Sequence, residues 1–285
     1  MAAGHAAPRA FVVGHPIAHS RSPLIHGHWL AEHGLAGSYD RVEVPPKDFS
    51  RFLRGLPGAG FAGGNVTIPH KEAALDLVDE RSPTAERIGA VNTLVVGADG
   101  RLLGDNTDAH GFVAHCDATL GPAWIERHGG TALVLGAGGA ARAVAVGLLD
   151  RGFERILVAN RTGARAEALR ALDPARVEAV GWAAVSARLR EATFLVNTTA
   201  LGMAGQPSLD LDLAGLPASA AVADIVYVPM ATPLLAAARA RGLPTVDGLG
   251  MLLHQAVPGF ARWFGVVPAV TPTLRSLVAA DIPVR

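Results

Sequence analysis

Three polar clusters and one glycine turn hold the residues of this chain that could do chemistry. Lys71 follows the run Gly64-Asn65-Val66-Thr67-Ile68-Pro69-His70 and opens a helical stretch. A helix N-terminus disfavours an added cation, which favours release of the lysine proton and makes Lys71 usable as an acid or base. The alternative is an ordinary solvent-facing lysine. Asp108 closes Gly104-Asp105-Asn106-Thr107-Asp108, either as a helix cap or as a partner that holds a substrate hydroxyl while Lys71 moves its proton. Asn65 and Thr67 alternate along a strand-like run, so they share a face and can read neighbouring hydroxyls together. Ser20 and Ser22 lie at the start of the first helix, where two hydroxyls can donate to a carboxylate. Ser22 followed by Pro23 also reads as a plain N-cap. His15 and His19 have the spacing of a metal pair, but Pro16 spoils the helical geometry and no acidic cluster joins them, so no metal is expected.

The glycine turn reads Gly136-Ala137-Gly138-Gly139-Ala140-Ala141 between the buried run Thr131 to Leu135 and the apolar stretch Ala143 to Leu149. A strand, a tight glycine turn and a helix start form a pyrophosphate cradle: Gly136 makes the turn, Gly138 admits the ligand, and Ala141 allows close packing. The next strand-like run, Arg155 to Ala159, ends in Asn160-Arg161-Thr162 with Arg165 one turn on. An NAD site would place an acid there for the ribose hydroxyls. Guanidinium groups and a hydroxyl suit a 2′-phosphate instead, so the expected coenzyme is NADP.

These residues need a two-layered scaffold, and the 285 residues are enough for two ordinary domains. Half the residues are hydrophobic and few are aromatic, as in Ala/Val/Leu-rich α/β packing. Ahead of the nucleotide unit, strand-like runs at 10–13, 38–44 and 60–67 alternate with helical stretches, and a hairpin is expected around Asp99-Gly100. Ser22 is expected to cap the first helix and Gly34 to end it. A helix capped at Thr107 or Asp108 runs to about Leu120. Strands follow near 131–135, 155–159, 177–180, 194–197 and 221–226, with a short one at 244–246, the rhythm of a doubly wound parallel sheet. Helical runs at 249–264 and 272–280 have no strands to follow and are assigned to the first domain. Zero formal net charge without basic or acidic tracts argues against nucleic acid or an anionic membrane as partner. Cys116, the single cysteine, excludes an intrachain disulfide and suits a reducing compartment. With no secretory pattern over residues 1–10 and no membrane-length apolar run, a cytoplasmic location is expected.

Taken together, the clusters resemble the shikimate dehydrogenases. The resemblance rests on Pro16 to Pro23, Asn65 to Lys71, Gly89 to Thr93, Gly104 to Asp108, Gly136 to Ala140 and Asn160 to Thr162. It continues through Asn197 to Met203, Asp224 to Tyr227 and Gly248 to Gln255. It implies reversible NADPH-dependent reduction of 3-dehydroshikimate to shikimate in aromatic amino acid biosynthesis, with Lys71 and Asp108 as the catalytic pair. Ser20 and Ser22 would hold the substrate carboxylate. Asn65, Thr67, Asn92, Asp108 and Gln255 would bind ring hydroxyls, with Tyr227 close by. Gly136, Ala137, Gly138, Gly139 and Ala140 would cradle the pyrophosphate, and Asn160, Arg161, Thr162 and Arg165 the 2′-phosphate side. Asn197, Thr198 and Met251 would lie along the coenzyme and Gly248 near the nicotinamide. The implied architecture is a substrate domain over 1–111, a Rossmann-type NADP domain over 112–247 and C-terminal helices over 248–285 that return to the first domain with Gln255. The two domains would close around the ligands, and the chain would act as a monomer or homodimer. Ala109 stands where a glycine is frequent in this family, and Gly27 where a polar residue is usual. A broad-specificity quinate/shikimate enzyme is the near alternative. A methylenetetrahydrofolate dehydrogenase would not explain the paired serines, and a non-catalytic NADP-binding regulator would not need Lys71 and Asp108.

Overall fold

Strands β7 (Thr131–Leu135), β8 (Arg155–Asn160), β9 (Val177–Gly181), β10 (Phe194–Asn197), β11 (Ala221–Asp224) and β12 (Thr245–Val246) carry nearly unbroken apolar runs, and all pair in parallel in a computed structural model that describes residues 7–283. Their order, β12-β11-β10-β7-β8-β9, reverses direction beside β7, the switch point at which such sheets bind ligands. Side chains alternate between two cores. Ala132, Val134, Ile156, Val158, Phe194 and Val196 face one layer, while Leu133, Leu135, Leu157, Ala159, Leu195 and Val222 face the other. Both faces are buried, which is why these strands read as continuous rather than alternating hydrophobic sequence.

The first layer over this sheet comprises α5 (Asp108–Leu120), α6 (Trp124–His128) and α7 (Gly139–Asp150), through Phe112, Trp124, Val144 and Leu148. On the other side lie α9 (Val185–Arg188) and α10 (Pro233–Ala240), through Val185, Leu234 and Leu235. A short helix α8 (Gly163–Ala168) follows β8.

The preceding part of the chain runs β1 (Arg9–Gly14), α1 (Ser22–Glu32), β2 (Ser38–Glu43), α2 (Pro46–Gly55), β3 (Gly63–Val66), α3 (Lys71–Leu77), β4 (Glu80–Arg81), α4 (Pro83–Ile88), β5 (Thr93–Val96) and β6 (Leu102–Asp105). The sheet order is β2-β1-β3-β5-β6-β4, mixed in direction, with the expected hairpin formed by antiparallel β5 and β6. Phe11, Val13, Val66, Leu94 and Leu102 pack with Phe49 and Leu53 of α2. The chain ends with α11 (Gly248–Phe264) and α12 (Pro272–Ala280).

The fold divides into two compact units. One takes the chain up to Thr107 together with Gln255–Val278, and the other takes Asp108–His254 with the residues from Ala279 onward. Within the first unit the returning segment is tied down by long-range bonds. Trp263 Nε1 donates to the Leu94 carbonyl at 2.8 Å, Trp29 Nε1 donates to the Ala269 carbonyl at 2.9 Å, and Arg262 pairs with Asp105 at 2.8 Å.

Two local expectations need correction. Arg21, not Ser22, is the N-cap of α1, and it offers no side-chain cap; Ser22 is already helical, and its hydroxyl bonds Tyr39 across the fold, not the helix end. The run 60–67 yields a strand only over Gly63–Val66, so Thr67 lies beyond it. Gly34 does end α1, at φ +60°. The two-residue β4 has no counterpart in the sequence reading.

Candidate active site

In the first unit, three of the polar residues marked out by the sequence, Asn65, Asn92 and Gln255, meet in one buried network. Asn65, on the central strand β3, donates from Nδ2 to the Asn92 carbonyl at 3.1 Å and to Thr93 Oγ1 at 3.2 Å. Its Oδ1 accepts the Tyr39 hydroxyl at 2.6 Å. Asn92 Oδ1 accepts from the Thr107 amide at 2.8 Å, and its Nδ2 donates to Thr107 Oγ1 at 3.1 Å and Gln255 Oε1 at 3.4 Å. Thr107 Oγ1 in turn donates to the Gln255 carbonyl at 2.8 Å. The structure thus joins Asn65, Asn92 and Gln255, brought from β3, the β5 entry and α11. Tyr39, Thr93 and Thr107 were missed by sequence reasoning as members. Burial pushes the Tyr39 hydroxyl well above its usual range, so it stays a donor and fixes which way the Asn65 amide points. Stacked on the Tyr39 ring at 3.9 Å is His26, held neutral by burial, which lowers it to about 3.

Ser20 and Ser22 stand at the entry to α1. The Ser22 amide donates to Ser20 Oγ at 3.4 Å, which leaves the Ser20 hydrogen to be given to a ligand. Ser22 donates its own hydroxyl hydrogen to Tyr39, so it must turn that donor away to hold a carboxylate. Half-buried Thr67 packs its methyl against Gly14, where any Cβ would stand 2.6 Å from it. Lys71 is the first residue of α3. Its position is set on both sides: the preceding His70 ring bonds the Val44 carbonyl at 2.7 Å and stacks on Phe49, and Lys71's own carbonyl accepts the Val91 amide at 2.8 Å. Burial holds the His70 ring below its ordinary value, so this anchor is neutral. Asp108, the other expected catalytic residue, begins α5 and belongs to the second unit.

In the second unit, β7 runs into Gly136 at φ +110°, where a Cβ would stand 2.5 Å from Thr198 Oγ1. Only glycine meets both conditions. Around Gly138 and Gly139 an added Cβ would meet nothing within 4 Å, and α7 starts at Gly139 with no side chain capping its first turn. The turn thus has open space beside it and an uncapped helix start, the setting a pyrophosphate requires. Ala141 is fully buried, the small residue that lets α7 lie against the sheet. At the tip of β8, Asn160 donates to the Thr162 carbonyl at 2.9 Å, and Arg161, Thr162 and Arg165 are exposed with no carboxylate among them.

Asn197 and Thr198 have their polar atoms engaged within the protein. Asn197 donates to the Leu201 carbonyl at 3.1 Å and Asp224 at 3.0 Å, and accepts from the Thr199 amide and hydroxyl at 3.0 and 2.7 Å. Thr198 Oγ1 donates to the Leu135 carbonyl at 2.6 Å, clamping the strand that feeds the glycine turn. Asp224 also accepts from the Val226 amide at 3.0 Å and the Thr232 hydroxyl at 2.7 Å. Burial raises its carboxyl from 3.8 to about 6 despite these donors. Half-buried Tyr227 follows on the same segment. At the start of α11, Gly248 passes so close to the Ile225 carbonyl that a Cβ would stand 2.1 Å from it, and Met251 one turn later is buried. No group of three or more metal-ligating side chains occurs among the described residues, and none of their helices is long and apolar enough to cross a membrane.

Residues 12–94 match the shikimate dehydrogenase substrate binding domain, and residues 124–204 match the shikimate/quinate 5-dehydrogenase family. The chain is 68% identical over 277 residues to a protein of Methylobacterium radiotolerans named shikimate dehydrogenase (NADP(+)), covering 97% of this chain and 98% of that one. Among solved structures, shikimate 5-dehydrogenase of Thermus thermophilus in complex with NADP(H) and shikimate is 41% identical, with a TM-score of 0.84 over 96% of this chain and 99% of that one. Quinate dehydrogenase of Corynebacterium glutamicum in complex with NAD is 33% identical, with a TM-score of 0.88 over the same shares. With both parts of its sequence matched and nearly its full length aligned to such proteins, the chain belongs to the shikimate dehydrogenase family.

Proposed function

We propose that the protein catalyses the reversible NADPH-dependent reduction of 3-dehydroshikimate to shikimate, a step of aromatic amino acid biosynthesis. The observation that carries this reading is the 68% identity, over 97% of the chain, to a protein named as the NADP-dependent enzyme. The residues present suit the coenzyme: an open glycine turn for the pyrophosphate, and two exposed arginines without an acid where a 2′-phosphate would stand. When bound, NADPH supplies the hydride that reduces the substrate carbonyl carbon.

Lys71 gives a proton to the oxygen at that carbon in the direction of reduction and takes it back in the direction of oxidation. Asp108 accepts a hydrogen bond from the same hydroxyl and aligns it. Ser20 and Ser22 donate to the substrate carboxylate. Asn92, Thr67 and Gln255 orient the remaining hydroxyls, with Tyr227 beside the ring. Asn65 has both amide hydrogens engaged and contributes through its remaining oxygen lone pair. In this assignment residues 1–111 with 248–285 serve the substrate and residues 112–247 the coenzyme. The single buried cysteine and zero net charge support a reducing, cytoplasmic setting without nucleic-acid partners.

The test is the initial rate of reduced-nicotinamide formation, with shikimate and quinate each crossed against NADP and NAD. Turnover of shikimate with NADP, and little with the other pairs, is the expected result. Comparable quinate or NAD rates would move the protein to broad specificity, and no turnover with any pair would refute an enzymatic role.

A further inference from the structure

The loop between β1 and α1, residues 15–21, presents Ser20, and the neighbouring strand β2 grips it at both ends. Arg41 and Glu43 lie two residues apart on β2 and so project from the same face. His15 Nδ1, at the start of the loop, pairs with Glu43 Oε1 at 3.1 Å. At its end, Arg41 donates from both Nε and Nη2 to the Ser20 carbonyl, at 3.0 and 2.6 Å. The Ser20 amide donates to the Ile17 carbonyl at 3.0 Å. Both backbone polar groups of Ser20 are therefore fixed, and with them the Cα–Cβ direction from which its hydroxyl is presented. A guanidinium fork is suited to this: its two donors are rigidly coplanar, so closing both on one oxygen sets the carbonyl's position more tightly than a lysine could.

We infer that Arg41 is a positioning residue for recognition of the substrate carboxylate, acting through Ser20, and not merely a surface charge. The inference rests on the reading of Ser20 as a carboxylate donor. Arg41 is exposed and outside the hydrophobic cores, so its removal leaves the fold standing while the Ser20 hydroxyl loses its aim. A donor to a charged acceptor that is lost or misdirected weakens binding by about 10-fold or more.

The experiment is a double-mutant cycle with Arg41→Ala, Ser20→Ala and the pair, read as KM for shikimate and kcat at saturating NADP. Arg41→Ala is expected to raise KM about 10-fold with kcat nearly unchanged and the KM for NADP unaltered. The double variant should be no worse than Ser20→Ala alone, since nothing remains to be aimed, and Arg41→Lys should fall between wild type and alanine. A wild-type KM in Arg41→Ala, with Ser20→Ala impaired, would overturn this inference and leave the Ser20 reading intact. Independent, multiplying effects would also overturn it, because Arg41 would then act on the carboxylate by its own charge. If Ser20→Ala itself binds shikimate normally, the carboxylate reading of Ser20 fails and the inference falls with it. Equal thermal midpoints of Arg41→Ala and wild type exclude a folding defect.

Discussion

Asp224 permits a prediction whose size can be worked out from its surroundings. Its carboxyl is almost inaccessible and accepts from Asn197, Val226 and Thr232, all uncharged. Burial outweighs these donors and lifts it from 3.8 to about 6. A folded-state value above the unfolded one means the native protein binds this proton more tightly. The contribution to stability is then fully present below pH 3.8 and is lost as pH rises through about 6. The gap corresponds to about 3 kcal/mol, of which about 2 kcal/mol lies between pH 4.5 and 7.5. Asp224→Asn keeps the shape and the Oδ1 acceptor and removes the titration. Its amide would face Thr232 Oγ1, which can turn to accept it at a cost of about 1 kcal/mol.

The assay is urea unfolding of both proteins across that pH range, followed by the fluorescence of the four tryptophans. Subtracting the variant cancels every other titrating group. The stability of wild type relative to Asp224→Asn should fall by about 2 kcal/mol from pH 4.5 to 7.5, leaving the variant equal or more stable at the upper end. A flat difference would refute the claim that burial dominates the three hydrogen bonds. A difference of opposite slope would mean that the donors win and the carboxylate is stabilised.

Lys71→Ala should lower kcat by about 10²–10⁴-fold with little change in KM for shikimate, and steady-state kinetics at saturating NADP would show it. Arg161→Ala should weaken NADP by about 10–100-fold while barely affecting NAD, measured as paired coenzyme KM values; equal losses would remove Arg161 from the phosphate site. Gly136→Ala places a Cβ 2.5 Å from Thr198 Oγ1 at φ +110°, so it should destabilise by at least about 1–3 kcal/mol and abolish NADP binding in calorimetry. Tyr39→Phe removes the donor to Asn65 Oδ1. It should cost about 1–2 kcal/mol in urea unfolding and raise KM for shikimate without altering that for NADP.

The parallel sheet was legible because its strands are buried on both faces. Leu133, Val134 and Leu135 each enter a core, on alternating sides, and a run with no polar interruption bounded by glycine has few other readings. The hairpin was legible for the opposite reason, a local turn signal at Asp99-Gly100. By contrast, β4 comprises two exposed charged residues, Glu80 and Arg81, paired to β6 only because the chain passes there, and no periodicity can announce that. The cap of α1 was misread because Ser-Pro is a strong local signal, whereas the partner that takes the Ser22 hydroxyl, Tyr39, is distant in sequence and brought near by β2. Local rules yield to tertiary hydrogen bonds where a side chain has a choice between them.

The same limit separates two kinds of motif residue that look alike as sequence. Arg161 and Arg165 are exposed and Ser20 is half-buried, and their types alone suggest the phosphate and carboxylate chemistry proposed for them. Asn197 spends its whole amide on Asp224, Leu201 and Thr199, and Thr198 spends its hydroxyl on Leu135. These bonds pin the end of β10 beside the glycine turn, and Asn197 and Asp224 are register partners on adjacent strands, a pairing that sequence separation hides. In the proposed assignment, a side chain so placed would serve the coenzyme only through the backbone it holds. Substituting it must therefore change stability and binding together, whereas substituting Arg161, exposed at the β8 tip, must change binding alone. Measuring both quantities for each variant separates residues that touch a ligand from those that shape its site.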